Sequence, residues 1–118
     1  MCKSTRYYSD RQEKHVAKSI GGRQTRNSGA TAFQKGDVQS DLFLIECKTK
    51  EAPSKSVTIQ KSWIVKNAEE AFAMGKLYSA LAVDFGDGEN YYVISEDLFR
   101  YLHEKLKEDE NEGQVSDG

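Results

Sequence analysis

Apolar positions along the chain change spacing several times, and each change marks an element. Val16, Ala17 and Ile20 share one side of a 3.6-residue period, and Ser9 or Asp10 can cap the first turn. A helix is therefore predicted to about Ser19, ended by Gly21-Gly22. Residues 1–8 are polar and expected to be flexible. Residues 23–30 are polar and basic, which predicts a short strand and then a loop. Residues 37–39 begin a strand, Ser40-Asp41 turns, and residues 42–48 return as an apolar strand. Residues 49–55 hold the only proline and form a loop; residues 57–60 read as a short extended segment.

From Lys61 or Ser62 the period returns to helical. Trp63, Ile64, Ala68, Ala71 and Phe72 are expected to form the inward stripe of a helix to Met74, with Gly75 after its end. Trp63 is expected to be a core or dimer-contact residue rather than a base-stacking platform. Residues 78–85 read as a buried strand, and Gly86-Asp87-Gly88 turns into residues 90–94 as a hairpin. Asp84 to Gly88 lacks the spacing and terminal glutamate of a calcium loop. Ser95 caps a third helix expected to face Leu98, Phe99, Leu102 and Leu106 inward. Residues 108–118 are acidic and poor in apolar side chains, which predicts a disordered tail after one domain over 1–107. The order α-β-β-β-α-β-β-α predicts an α/β fold, a central mixed sheet flanked by helices.

Composition narrows the class. At 118 residues the chain can bury the core of one domain. No apolar run approaches the ~20 residues that span a bilayer. The polar start, Met1 to Arg6, predicts no secretory signal, and a cytoplasmic protein is expected. Cys2 and Cys47 lack Cys-x-x-Cys spacing, and His15 and His103 are isolated. These features argue for a reducing compartment and against zinc. The net charge of −2 conceals an asymmetry: residues 1–66 carry 13 Lys/Arg and 6 Asp/Glu (+7), residues 67–118 carry 4 and 13 (−9). The basic half favours a nucleic-acid partner over ordinary solvated surface.

Candidate chemistry lies in that basic half. The strand over residues 42–48 ends in Glu46-Cys47-Lys48, where apolar residues would cost less to bury. Asp37 and Glu46 can share a divalent cation, and Lys48 points to the same side of its strand as Glu46. Two carboxylates, a metal and an ammonium suit phosphodiester hydrolysis. The plain alternative for Glu46-Cys47-Lys48 is a solvated strand end with a cross-strand ion pair. Asp41 is a competing carboxylate that reads better as a turn residue. Glu13 lies on a helix full of charges, where glutamates are usually surface. Gln60 and Lys61 stand where the second helix begins and could reach a substrate.

Glu13 on the first helix, Ser28-Gly29 in the following loop, Gly36-Asp37 and Glu46-Cys47-Lys48 together resemble the PD-(D/E)XK nuclease superfamily. Within it, the chain is most similar to small Holliday junction resolvases of archaeal and phage type. The likeness covers the element order to about residue 106, and Gly36 stands where the family name has proline. It implies a restriction-endonuclease-like core. It implies that Asp37 and Glu46, with the backbone carbonyl of Cys47, bind Mg²⁺ or Mn²⁺, and that Glu13 completes the shell directly or through water. Lys48 would orient or help deprotonate the attacking water and stabilise developing charge, with Ser28 beside the scissile phosphate. Arg23, Arg26 and Lys35 would contact the DNA backbone, which fixes register without reading sequence.

The expected function is a metal-dependent, structure-selective DNA endonuclease that resolves four-way junctions as a homodimer, with bacterial, archaeal or phage origin. The alternatives are a single-strand or flap nuclease of the same fold, an RNA-processing nuclease, and a DNA-binding module that has lost catalysis.

Overall fold

The computed structural model describes residues 4–25 and 36–116. Ser28, Arg26 and Lys35 lie outside the described residues. Three helices and five strands follow in the expected order: α1 (Thr5–Ser19), β1 (Arg23–Gln24), β2 (Val38–Gln39), β3 (Phe43–Thr49), α2 (Lys61–Ala73), β4 (Tyr78–Asp84), β5 (Asn90–Val93) and α3 (Glu96–Ser116). The strands form one mixed sheet ordered β1-β2-β3-β4-β5. Only β3 and β4 are parallel, with Glu46 opposite Leu81 and Lys48 opposite Val83. A parallel pair needs a crossover, and α2 supplies it.

Alternation along β3 and β4 gives the sheet two faces. One presents Ile45, Ala80 and Ala82 to Val16 and Ala17 of α1, with Val38 completing the cluster. Leu44 and Leu81 alternate with these to the other face, where α2 packs on β3 and β4. Glu46 and Lys48 share the parity of Leu44, so they emerge on the α2 face of the same strand.

Four expectations need correction. First, α1 begins at Thr5, with Ser4 as N-cap, rather than after Ser9 or Asp10. The Ser4 hydroxyl accepts from Tyr7 N–H at 3.3 Å. Tyr7 and Tyr8 meet edge to face at 5.3 Å, with the Arg11 guanidinium over both rings. These contacts order a polar segment that has no apolar period.

Second, α2 is turned about its axis relative to the expected stripe. Asn67 is 1% exposed, and its amide donates to the Leu44 and Ala80 carbonyls, both at 3.1 Å. Seating that amide on the sheet turns Ala71 inward and sends Ile64, Ala68 and Phe72 out. Phe72 is 86% exposed.

Third, Trp63 is not in the buried core; it is half-buried and carries the ammonium of Lys48. Fourth, α3 runs to Ser116, beyond the expected end near residue 107, and of its expected inward residues only Leu98 is buried. Phe99, Leu102 and Leu106 are exposed, because α3 packs little against the other elements; Tyr101, in its second turn, stacks on Tyr78 with ring centroids 6.2 Å apart. The Ser95 cap is present: its hydroxyl accepts from Leu98 N–H at 3.1 Å. The residue 84–88 segment is a hairpin turn in which Asp84 accepts from the Gly86 and Gly88 amides.

Candidate active site: two carboxylates and a lysine on β3

The site grows from the antiparallel step between β2 and β3. Asp37, just before β2, donates its N–H to the Ile45 carbonyl at 3.0 Å, and its own carbonyl accepts from Thr25 N–H at 3.0 Å. Both ends of the residue are therefore tied to neighbouring strands. Its carboxylate is tied too: Asp37 Oδ2 accepts from Cys47 N–H at 2.7 Å. A charge-assisted bond of that length fixes the side chain against β3, directly beside Glu46.

Gly36 makes this geometry possible. Its φ is +76°, and an added Cβ would lie 2.7 Å from two carbons of the buried Leu44 side chain. Proline is confined to φ near −65°, so the family-name residue cannot occupy this backbone. Glycine at this position is thus imposed by local structure. The Thr25 hydroxyl donates to the Gly36 carbonyl and holds the turn in place.

Glu46 is held well above the ordinary carboxylate range. Burial is the main cause, followed by a hydrogen bond from its carboxyl to Asp37 and by Asp37's charge; Lys48 opposes them. Together they push it up to about 7. A carboxyl held up by burial and by a neighbouring carboxylate marks a position where positive charge is favoured. Asp37 and Glu46 therefore form a donor pair of the hard-oxygen type that Mg²⁺ and Mn²⁺ prefer.

Glu13 reaches the same neighbourhood from α1. Burial raises its carboxyl, a hydrogen bond from Gln24 lowers it, and the charges of Asp37 and Asp10 raise it again. The Gln24 amide bridges Asp10 at 3.0 Å and Glu13 at 3.2 Å. Glu13 thus senses Asp37 electrostatically, yet among the described residues no three His, Cys, Asp or Glu side chains converge closely enough to hold an ion unaided. Asp37 and Glu46 are the pair brought together, and Glu13 stands behind them. The Cys47 side chain points to the α1 face, where burial pushes its thiol far up and keeps it protonated. Only its backbone could serve as a ligand.

Lys48 completes the constellation on the Glu46 side of β3. Its ammonium makes no ion pair with Glu46 within 4 Å; it lies 4.1 Å from the centroid of the Trp63 ring. Gln60 and Lys61 are exposed at the same end of α2 as Trp63. Arg23 lies elsewhere. It lines a recess of about 290 Å³ with Gly21, Gly22, Ser40, Asp41 and Lys76, at the end of the sheet where β3 begins. Asp41 is an exposed turn residue there, and Ser40 closes the turn by accepting from Phe43 N–H.

Three supporting residues escaped the sequence. Gln12 is 3% exposed, and its amide nitrogen lies within hydrogen-bond distance of the carbonyls of Lys48 and Ala82 and of Asn90 Oδ1. It ties α1 to the ends of the site strand and its neighbour. Its position four residues before Val16 on the buried stripe was the available signal. Asn67 had the same signal, four residues after Trp63 and four before Ala71. Trp63 as partner of Lys48 had none, because the contact joins two elements.

The shifted Glu46 predicts an unusual pH dependence of stability. Between 4.5 and about 7 the folded state holds a proton that the unfolded chain has released. Stability of the metal-free protein should therefore fall as pH rises through that window. The expected loss is about 1–2 kcal/mol, discounted for the group's partial exposure. Urea midpoints in EDTA at pH 4.5 and 8 measure it, and Glu46→Gln should flatten most of the slope. A midpoint that rises across the window for the wild-type chain would contradict this electrostatic picture.

Among the described residues no helix is long and apolar enough to cross a membrane. Comparison with family models, with curated proteins and with solved structures gives no match to the chain.

Proposed function

We propose that this chain is a metal-dependent, structure-selective DNA endonuclease with a restriction-endonuclease-like core, similar to PD-(D/E)XK Holliday junction resolvases. The observation that carries the proposal is the Asp37–Glu46 pair. One carboxylate is locked by a backbone N–H, the other is buried beside it and held up by its charge, and a lysine lies two residues along the same strand face. A structural ion pair needs none of this, and burying two adjacent carboxylates is costly unless something positive joins them.

Asp37 and Glu46, with the Cys47 carbonyl, would hold Mg²⁺ or Mn²⁺, and Glu13 would add charge behind them. The cation would supply Lewis-acid polarisation of the phosphoryl oxygen and activation of the attacking water. Asp37 enters already oriented by the Cys47 amide. Glu46 would hold the ion in its ionised form, with any proton it carries released to solvent. The Lys48 ammonium stabilises negative charge as the water oxygen bonds to phosphorus and the ester oxygen leaves. Gln60 and Lys61 would contact the DNA backbone beside Lys48. Arg23 is at the other end of the sheet and would engage a more distant phosphate.

A homodimer suits symmetric cutting of a junction, since a two-fold axis presents two equivalent sites. The exposed apolar side chains of α2 and α3, Phe72, Phe99 and Leu106 among them, support self-association.

Incubating the protein with labelled four-way junction, linear duplex, flap and single strand in Mg²⁺ tests the substrate. Paired, symmetric cuts confined to the junction are expected. Preferred cutting of single strands or flaps would move the function to the broader nuclease, and preferred cutting of duplex RNA would move it to RNA processing.

A further inference from the structure

Lys48 and Glu46 emerge on one face of β3, two residues apart, where a long lysine side chain can reach the glutamate. Such a pair would neutralise the carboxylate that a cation needs. The ammonium is instead 4.1 Å from the centroid of Trp63, well inside the range of a cation–π contact. Trp63 sits in the first turn of α2, whose rotation is fixed further along by Asn67 bonding to the Leu44 and Ala80 carbonyls. The indole is thus presented to β3 by the same packing that turned Phe72 and Ile64 outward.

We infer that Trp63 is a positioning residue, and that its ring holds the Lys48 ammonium off Glu46 so that the Asp37–Glu46 oxygens stay available to a divalent cation. The inference rests on the metal-site reading above and adds the group that keeps the site open. The choice of aromatic follows from the chemistry. A carboxylate partner would hold the ammonium too but would add to the negative charge that Asp37 and Glu70 already place on Glu46, whereas a π face attracts a cation without carrying net charge.

Two readouts test it without relying on cleavage. The first is Mn²⁺ binding, followed by calorimetry, for wild type, Trp63→Leu, Trp63→Phe and the double variant Trp63→Leu/Lys48→Met. Trp63→Leu should bind Mn²⁺ about tenfold more weakly, because the released ammonium falls onto Glu46. Trp63→Phe keeps a ring face and should retain most of the affinity. The double variant should recover it, since no ammonium remains to compete. A structural role for Trp63 would predict no recovery. The second readout is the emission of Trp63, the only tryptophan in the chain. Lys48→Met should shift it by removing a charge from the ring face.

Unchanged Mn²⁺ affinity in Trp63→Leu, or a double variant as weak as the single, overturns the inference while leaving the metal site standing. Emission unaltered by Lys48→Met overturns it as well, even if Trp63→Leu fails to fold. A wild-type protein that takes up no Mn²⁺ overturns the metal-site reading and this inference together.

Discussion

Lys48→Met is expected to slow junction cleavage by about 10²–10³-fold while leaving Mn²⁺ binding near the wild-type level. The size follows from removing one preorganised positive group aimed at developing charge. The separation of the two effects follows from geometry. Lys48 lies against Trp63 and makes no ion pair with Glu46 within 4 Å, so its loss removes no direct contact of the Asp37–Glu46 pair; its charge lowers Glu46 only against the larger effects of burial and Asp37. Glu46→Gln should behave differently, since it removes the charge of the proposed ligand. It is expected to lose both metal binding and cleavage. Single-turnover rates beside calorimetric Mn²⁺ titrations read the two quantities independently. A Lys48→Met variant that cleaves normally would remove the lysine from the mechanism.

The second large effect concerns Gly36. Installing the proline for which the superfamily is named should destabilise this chain by at least about 3 kcal/mol, a large share of a typical domain's stability. Two independent observations require it. The backbone at Gly36 sits at φ +76°, which the pyrrolidine ring cannot reach, and any Cβ would collide with Leu44, whose side chain is fully buried. Relaxing the turn to admit proline would also pull Asp37 away from the Cys47 amide. Urea denaturation of Gly36→Pro beside wild type measures the effect, and an unchanged midpoint would show that the turn is not built as described. Gly36→Ala should fall between the two, because alanine can enter positive φ at a cost but still meets Leu44.

Both predictions draw on residues close together in sequence, and that explains what the sequence could disclose. Asp37, Glu46 and Lys48 are joined by a single β2–β3 step, so alternation along one strand was enough to place them together. The element order followed from the same local signals of period and turn residues. What was hidden depends on partners far along the chain. The apolar stripe of α2 seemed to run through Ile64, Ala68 and Phe72. A polar residue, Asn67, took the sheet-facing position instead by bonding to two strand carbonyls. The apolar spacing of α3 implies a packed helix, but spacing cannot say whether a surface waits to receive it; among the described residues, Leu98 is buried and Tyr101 stacks on Tyr78, while Phe99, Leu102 and Leu106 stay exposed. The start of α1 was missed because its first turn is held by a serine cap and stacked tyrosines rather than by apolar periodicity. Helical spacing places Trp63 in the core or at a dimer contact; in the fold its ring lies against Lys48.

The central claim is that Asp37 and Glu46 form a metal-dependent hydrolytic site. The most direct measurement sets wild type beside Glu46→Gln on a labelled four-way junction, with Mg²⁺ and with EDTA, scoring cleavage and junction binding in parallel. Cleavage by wild type in Mg²⁺ alone, with the variant binding the junction but leaving it intact, is the predicted result. Equal cleavage by the variant, or cleavage undiminished by EDTA, would contradict it.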